Sequence, residues 1–437
     1  MQTSFSPAAL ADPQTAASEK ILRTCVHCGF CTATCPTYLL RGDELDSPRG
    51  RIYLIKDMLE GGKPATREVV THVDRCLSCL SCMTTCPSGV NYMHLVDHAR
   101  AYIEQTYKRP LADRGLRFVL AKILPYRGRF RLALAAALLA EPLAPLIARL
   151  PLVGARLAAM IDLAPGRFPS LPLTEAAPAV AAPRKARVVI LEGCAQPVLK
   201  PSINAAARRL LARHGVEVVK PLNEACCGAL VLHMGREAEG LAFARRMVDV
   251  WSAEIERGLD AILITASGCG TTIKDYGFML RSDAAYAEKA ARVSAMAKDI
   301  TEFVVSLEPM PSARKTGQVI GYHSACSMQH GQKIGDQPKR LLRNAGFIVR
   351  DPPEGHICCG SAGIYNILQP EIAGQLRARK AANLEKLRPQ AIATGNIGCI
   401  TQIAKGSRIP VIHTVELLDW AAGGPRPEGL EYGGFEG

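Results

Sequence analysis

The sequence CVHCGFCTATCP at residues 25–36 returns as CLSCLSCMTTCP at residues 76–87. Both copies place four cysteines at the spacing Cys-x2-Cys-x2-Cys-x3-Cys-Pro. The first three thiols of each copy are close enough in sequence to meet at one metal centre. The fourth is followed by a proline that ends the local turn, which directs this thiol away from the other three. This repeated pattern decides the architecture of the first part of the chain.

The spacing is typical of bacterial two-cluster ferredoxins, in which the fourth cysteine of each run binds the cluster of the other run. Zinc sites, the alternative, typically use pairs of cysteines two to four residues apart, and would leave the third cysteine of each triple without a role. The sequence therefore predicts two [4Fe–4S] clusters. Their ligand sets each combine three cysteines of one run with the last of the other: Cys25, Cys28, Cys31 and Cys86 for the first cluster, and Cys76, Cys79, Cys82 and Cys35 for the second.

The 40 residues between the two runs are too many for a compact small ferredoxin. Ser47 followed by proline predicts a helix over 48–61, and a further helix is expected over 92–108. The clusters are thus expected in a helical ferredoxin module. Arg49 and Arg51 lie in the first turn of the earlier helix. One interpretation is that they are electrostatic partners of the anionic clusters or of a docking protein. The other is that they belong to a solvated first helical turn. The sequence leaves both interpretations open.

The remaining eight of the sixteen cysteines form an internal duplication, in which each member returns 130 to 132 residues later. NEACCGAL at 223–230 corresponds to GHICCGSAG at 355–363, and RRLLARHGVEV at 208–218 to KRLLRNAGFIV at 339–349. A repeat at a fixed period indicates two homologous structural units. The two sets are Cys194, Cys226, Cys227 and Cys269, and Cys326, Cys358, Cys359 and Cys399.

Each half alternates short β runs with helical patterns, which predicts an α/β unit with a largely parallel sheet. Functional groups gather beyond the carboxyl ends of such strands, so each half is expected to collect its four cysteines on one sheet edge. Three interpretations follow. These are a metal or iron–sulfur site in each half, a redox-active dithiol at each Cys-Cys pair, or buried structural cysteines. The spacing does not decide between the first two.

The fold class is therefore α+β and multidomain, with a helical two-cluster ferredoxin module followed by a duplicated α/β cysteine-rich domain. With 437 residues the chain is long enough for about three domains. The predicted boundaries are 1–107 for the ferredoxin, 108–186 for a basic helical segment with a Pro/Ala-rich linker, 187–310 for the first repeat and 311–437 for the second.

The connecting segment 108–168 carries much of the excess charge. It contains eleven Lys and Arg against three acids, which accounts for eight of the net +13, and it is rich in leucine. This composition favours docking on an anionic membrane surface or on an acidic partner over a solvated linker that packs on its own domains. Residues 169–186 are predicted to be a Pro/Ala-rich linker.

No transmembrane helix is expected, because the longest apolar run, 132–148, is interrupted by Glu141, Pro142 and Pro145. The first residues lack the pattern of a secretory signal. These features predict a cytoplasmic protein, peripheral on the inner face of the cytoplasmic membrane. The aromatic content of 5% is low for a protein that stacks nucleic-acid bases, so no nucleic-acid partner is predicted. Neither the dinucleotide-binding nor the P-loop glycine motif occurs, which argues against a flavin or nucleotide site on this chain.

The motifs resemble those of known electron-transfer proteins. The two runs at 194–228 and 326–360 are similar to the cysteine-rich (CCG) domains of heterodisulfide reductase-type subunits. SPRGRIYLIK at 47–56 and DRCLSCLSCMTTCPSGVNYMHLV at 74–96 resemble the iron–sulfur subunit of bacterial glycolate oxidase (glycolate dehydrogenase), and the resemblance covers nearly the whole chain. The heterodisulfide reductase pattern ends each repeat in Cys-x-x-Cys, whereas this chain has single cysteines there. A four-thiolate cluster, or none, stays open in each repeat.

The resemblance implies an electron-transfer subunit of a multi-subunit glycolate oxidase, with no catalytic residue of its own. It would hold two [4Fe–4S] clusters and no flavin. Whether the CCG repeats hold further clusters is left open. Its implied partners are FAD-binding oxidase subunits that oxidise glycolate to glyoxylate, and the membrane quinone pool. The alternatives are the equivalent subunit of a lactate or glycerol-3-phosphate dehydrogenase, or a heterodisulfide reductase-like enzyme that uses the CCG cysteines.

Overall fold

The computed structural model describes residues 1–166, 168, 183–308, 312–314 and 316–430. Most of the predicted linker, residues 169–182, lies outside the described residues, as does the boundary at 310 and 311. The domain boundaries therefore stay predictions, while the order of helical and α/β parts agrees with the predicted fold class.

The ferredoxin module is helical, as predicted. Ser47 accepts a hydrogen bond from the backbone N–H of Gly50 at 3.0 Å, and Gly62 ends the helix with φ of 58°. Leu95, Ile103 and Val73 have no exposed surface and form its core. Both predicted helices are confirmed, the second ending two residues early. The helices are α1 (Pro7–Leu10), α2 (Pro13–Thr24), α3 (Pro36–Arg41), α4 (Pro48–Gly61), α5 (Arg67–Asp74), α6 (Ser81–Thr85) and α7 (Tyr92–Thr106).

The basic segment folds into four helices, α8 (Leu111–Ile123), α9 (Arg127–Ala140), α10 (Ala144–Ile147) and α11 (Gly154–Asp162). A 3-10 turn at Glu141–Leu143 joins α9 to α10, so the helical run Arg127–Ile147 spans 21 residues and is long and apolar enough to cross a membrane. The expectation that Glu141 and the two prolines interrupt this run is wrong. In the 3-10 turn the backbone hydrogen bonds join residues three apart instead of four. This change accommodates Pro142, which has no N–H to donate.

The first repeat is a four-stranded, all-parallel sheet in the order β2-β1-β3-β4, which confirms the predicted parallel topology. Its strands are β1 (Ala186–Ile190), β2 (Val216–Val219), β3 (Ala261–Ile264) and β4 (Ala297–Asp299). Its helices are α12 (Gln196–Leu199), α13 (Ser202–Arg213), α14 (Ala229–Leu232), α15 (Glu237–Ile255), α16 (Ser267–Lys274), α17 (Tyr276–Met279), α18 (Ala287–Met296) and α19 (Ile300–Val304).

The second repeat has the same topology, in the order β6-β5-β7-β8. Its strands are β5 (Val319–Tyr322), β6 (Ile348–Arg350), β7 (Ala391–Thr394) and β8 (Val411–His413). Its helices are α20 (Gln337–Asn344), α21 (Tyr365–Leu368), α22 (Pro370–Glu385), α23 (Ile397–Ala404) and α24 (Thr414–Ala421).

The two repeats share one apolar core. Val188 and Leu263 of the first sheet belong to the same buried cluster as Ile320 and Ile392 of the second. Because helices of both repeats, among them α13 and α24, pack together in this core, the relative position of the repeats is fixed, and with it the position of their cysteines.

Candidate functional site

The first predicted ligand set lies together at the surface of the ferredoxin module. Its four cysteines line one pocket: Cys25, Cys28, Cys31 and Cys86. Cys25 follows α2 directly and Cys86 follows α6. Gly29, with a positive φ of 85°, turns the chain between Cys28 and Cys31. Burial raises the pKa of Cys31 to about 11. A metal must therefore displace a tightly held proton when it binds there.

The second predicted set is more deeply placed. Burial is the main cause of the raised pKa of Cys82, and the neighbouring Cys79, Cys76 and Cys35 raise it further, in that order. The electrostatic neighbours of Cys82 are therefore the other three members of its predicted set, followed by Cys31 of the first set, whose pocket Cys82 also lines. The backbone N–H of Ser78 donates to Cys76 Sγ at 3.4 Å, the kind of hydrogen bond that tunes the potential of a bound cluster. Both ligand assignments stay predictions, and this geometry fits them.

A buried arginine supports the second set. Arg51 is 1% exposed and its guanidinium approaches Cys35 Sγ at 3.8 Å, so it acts as an electrostatic partner and is not solvated. It also donates to the carbonyl oxygen of His72 at 2.7 Å and contacts the buried carboxylate of Asp46 at 3.4 Å. Arg49 instead pairs with Glu44 at 2.6 Å on the half-exposed side of α4.

The vicinal cysteines of the two repeats occupy equivalent turns. The Sγ atoms of Cys194 and Cys226 are 3.5 Å apart, and those of Cys326 and Cys358 are 3.6 Å apart. Gly228 and Gly360 have φ of 85° and 91°, and each donates its N–H to the sulfur two residues earlier at 3.4 Å. The glycine after each Cys-Cys pair is therefore required by the backbone, since a left-handed conformation is strained for any other residue.

All eight cysteines of the repeats line a single cavity of about 360 Å³. The order of the strands explains why four cysteines gather at the edge of each sheet. The sequence could not show that the two edges face each other. Cys76 of the second ferredoxin set lines the same cavity, and so do apolar residues of α8, α9 and α11, among them Leu120, Leu134 and Met160. The basic segment therefore forms a wall of the cavity, a role that its composition did not reveal.

The second ferredoxin set packs directly against the second repeat. Cys79 and Cys358 belong to one buried apolar cluster. The hydroxyl of Tyr365 donates to the carbonyl oxygen of Arg75 at 2.9 Å, and Thr84 Oγ1 hydrogen-bonds His330 Nδ1 at 2.7 Å. The three cysteine sites thus follow one another from the first ferredoxin set, through the second, to the cavity between the repeats.

Sequence reasoning missed one residue of this region. His323 directly follows β5 and is 1% exposed. Its imidazole nitrogen lies with Cys359 Sγ and Cys399 Sγ in a group whose atoms are all within 4.8 Å of one another. A comparison of the repeats at the offset of 132 residues would have drawn attention to it, because Leu191 is the counterpart in the first repeat.

Thiolates at these spacings, with N–H donors directed at their sulfurs, suit iron–sulfur clusters. Bound in the ferredoxin sets, such clusters supply one-electron transfer. The fold and its cysteine sets thus define an iron–sulfur electron-transfer protein.

Comparisons with known proteins extend this conclusion. Residues 21–90 match the family model of the 4Fe-4S dicluster domain, and residues 188–274 and 320–404 match that of the cysteine-rich domain named CCG. The glycolate oxidase iron-sulfur subunit of Escherichia coli (strain K12) is 44% identical over 96% of this chain and 99% of its own. The probable glycolate oxidase iron-sulfur subunit of Bacillus subtilis (strain 168) is 31% identical over 92% of this chain and 94% of its own.

The chain belongs to the family of glycolate oxidase iron–sulfur subunits, and its role there is electron transfer. Lactate utilization protein A of Bacillus licheniformis is 25% identical and matches 53% of this chain, so that relationship is only partial. A crystal structure of a hypothetical protein from Helicobacter pylori covers 96% of this chain and 74% of its own at 10% identity and a TM-score of 0.53, which shows similarity of fold alone.

Proposed function

We propose that this subunit receives electrons from an FAD-bearing subunit that oxidises glycolate, and delivers them to a quinone at the inner face of the cytoplasmic membrane. Glycolate loses two electrons and two protons on becoming glyoxylate, and a quinone takes up two of each on becoming a quinol. The reaction is therefore balanced without another oxidant. What this chain contributes is a connected series of cysteine sites with a different surface at each end.

The surface near the first ferredoxin set fits a protein partner. Cys28 is exposed, and Val26, Phe30 and Tyr53 around it are each more than 60% exposed. Large apolar side chains grouped on a surface are typical of protein–protein contacts. A flavin subunit docked here would lie beside the most accessible cysteine set.

A second exposed surface is formed by α9 and α10, and it carries the proposal. Leu132 and Leu139 are 75% and 83% exposed, and Leu143, Leu146 and Leu150 continue the exposed row. Exposed arginines stand at both ends of this helical run, Arg129 and Arg149. Leucines between arginines suit a helix that lies in the interface of an anionic bilayer.

The same helical run also reaches the cavity. Leu134 is 4% exposed and lines the cavity together with Phe130, both on α9. Leu134 also packs against Val198 of the first repeat, which holds α9 to the body of the protein. The helix is therefore proposed to lie along the membrane rather than to cross it. One of its faces would contact lipid while the other encloses the cysteine-lined space.

The cavity has the chemistry of a quinone site. Its walls combine the cysteines with many leucine, isoleucine and alanine side chains, and these apolar side chains suit a ring and its isoprenoid tail. Asn366 also lines the cavity, and its buried Oδ1 has no hydrogen-bond partner among the described residues. Such an oxygen can accept a hydrogen bond from a quinol hydroxyl.

A flotation experiment with liposomes tests the membrane surface. The double variant Leu139→Asn, Leu143→Asn should lower partition into phosphatidylglycerol liposomes by at least about tenfold, since burying each leucine contributes about 1.5–3 kcal/mol. Leu222→Asn is the matched control, because Leu222 is 85% exposed on the first repeat, outside this helical run. Flotation of the double variant equal to that of the control would overturn the assignment of this surface.

Electron delivery is tested separately in the assembled complex. Cys25→Ser removes one predicted ligand of the first cluster, so quinone reduction should be lost while glycolate oxidation with an artificial dye on the flavin subunit survives. Electron paramagnetic resonance of the reduced complex should show one ferredoxin signal fewer. Quinone reduction at the rate of the unaltered complex would contradict the proposed order of sites.

A further inference from the structure

The two repeats differ at the end of their central strands. The backbone N–H of Leu191 donates to the carbonyl oxygen of Leu263 at 2.9 Å, and that of His323 donates to the carbonyl oxygen of Ala393 at 2.8 Å. Each residue therefore extends the pairing of its central strand by one residue in the same way. The structure thus places a histidine in the second repeat at the position where the first repeat has a leucine.

His323 is in an unusual environment for a histidine. It is 1% exposed, and neither ring nitrogen has a hydrogen-bond partner among the described residues. A buried polar atom without a partner costs about 1–3 kcal/mol, so an imidazole with two such atoms would be a poor choice for packing alone. A leucine fills the equivalent space in the first repeat, which shows that the fold does not need an imidazole there.

The nearest ligand atoms around His323 are sulfurs. Cys359 belongs to the turn that follows β6, and Cys399 lies in the first turn of α23. Their Sγ atoms and the nearer ring nitrogen are all within 4.8 Å of one another, and all three residues are buried. Ligands bound to one tetrahedral ion at about 2.0–2.3 Å stand roughly 3.5–3.8 Å apart, so a small inward movement brings this group around a single metal atom.

We propose that His323 is an imidazole ligand of a thiophilic metal centre in the second repeat, bound together with Cys359 and Cys399. The metal is zinc or an iron of a cluster, since both accept mixed nitrogen and sulfur ligands. The corresponding centre of the first repeat has cysteine ligands only. This inference concerns ligand identity, and it is independent of whether a quinone is the final acceptor.

A buried cation makes the two centres differ further. Lys380 is 1% exposed and donates to the carbonyl oxygen of Glu354 at 2.8 Å; burial lowers its pKa, while the neighbouring Cys359 favours its charged form. The first repeat has Val248 at the equivalent position. The imidazole stands where the first repeat has a leucine, so it adds a neutral ligand to the set of cysteines that both repeats share, and an ammonium nearby lowers the negative charge of the centre. If the metal is iron, the centre of the second repeat is therefore the more oxidising of the two.

The test uses the full-length protein purified without oxygen, with histidine labelled by ¹⁵N, and measures metal content and coordination. If the centre contains iron, pulsed electron paramagnetic resonance should show a strongly coupled histidine nitrogen. If it contains zinc, X-ray absorption should show a nitrogen at about 2.0 Å beside sulfurs at about 2.3 Å. His323→Leu copies the first repeat and should abolish the nitrogen signal. His356→Gln, in the same turn as the cysteines and outside the group, should retain it.

A second variant covers the case in which His323→Leu folds poorly. His323→Cys supplies a thiolate at the same place, so the metal should stay bound while its coordination becomes sulfur only, and an iron centre should shift to a lower potential. The ferredoxin signals serve as an internal measure of folding in each variant. The proposal is overturned if the unaltered protein shows no histidine nitrogen on iron or zinc, or if His323→Leu and His323→Cys both leave the nitrogen signal unchanged.

Discussion

Acid is expected to weaken the contact between the repeats at His413. This residue of the second repeat is 1% exposed, and its Nε2 donates to the carbonyl oxygen of Thr265 in the first repeat at 2.8 Å. Its Nδ1 accepts from the backbone N–H of Val415 at 3.1 Å, so the neutral ring satisfies both contacts. Burial lowers the pKa of His413 from 6.5 to about 4. The unfolded chain therefore binds this proton more tightly than the folded protein does.

The size of the effect follows from the two pKa values. The contribution of His413 to stability is fully present above its unfolded pKa and is lost as the pH falls through 6.5 towards 4. Because the unfolded chain binds the proton more tightly, lowering the pH from 7 to 5 reduces the free energy of unfolding by about 2 kcal/mol. For a unit the size of the paired repeats, this corresponds to a decrease in Tm of about 4–8 °C.

The assay compares the unaltered protein with His413→Gln between pH 5 and pH 7.5. Glutamine can donate to Thr265 and accept from Val415, but it does not titrate, so the difference between the two melting curves isolates the imidazole. We expect the unaltered protein to lose about 2 kcal/mol more than the variant over this range. Parallel pH dependence of the two proteins would refute the argument.

Two further substitutions test the packing around the sites. Arg51→Met leaves the buried carboxylate of Asp46 with one cation fewer, so it should lower the free energy of unfolding by about 3–5 kcal/mol, measured by chemical unfolding. The double variant that also carries Asp46→Asn should recover part of this loss. No loss in the single variant would show that Asp46 does not need this partner. Gly235→Ala should destabilise the contact with the ferredoxin module by about 1–3 kcal/mol more than Gly258→Ala. Both glycines have φ above 80°, but a Cβ at Gly235 would stand 2.3 Å from a backbone oxygen of α7, whereas the space at Gly258 is open; equal losses would contradict the close approach.

The local structure around the cysteines was predictable because it depends on neighbours in sequence. The Ser47-Pro48 start of α4 combines a side-chain cap with a proline at the position where its missing N–H is harmless. The parallel direction of the strands followed from alternating β and helical patterns. The Cys-Cys-Gly turns followed from the conformational freedom of glycine. In each case a few adjacent residues carry the physical cause.

The arrangement of these parts in space was not predictable in the same way. The cavity depends on contacts such as Tyr365 with Arg75, which join residues 290 positions apart and belong to no sequence pattern. The continuity of α9 into α10 depends on a 3-10 turn that has Pro142 in its first turn, where the missing N–H is harmless, and sequence alone does not distinguish such a restart from a break. The division of the leucines of the basic segment between cavity and surface likewise depends on where α9 packs.

The apolar core shared by the two sheets has a consequence for how such a chain can have arisen. Cut between the halves, each repeat would expose the apolar helix surfaces, among them those of α13 and α24, that now cover the other repeat. A second identical molecule offers matching surfaces, so the duplication fits an ancestral homodimer with two equal sites related by its symmetry axis. Fusion of the two genes released each half from the need to remain identical. Leucine at one strand end and histidine at the other are a divergence of this kind.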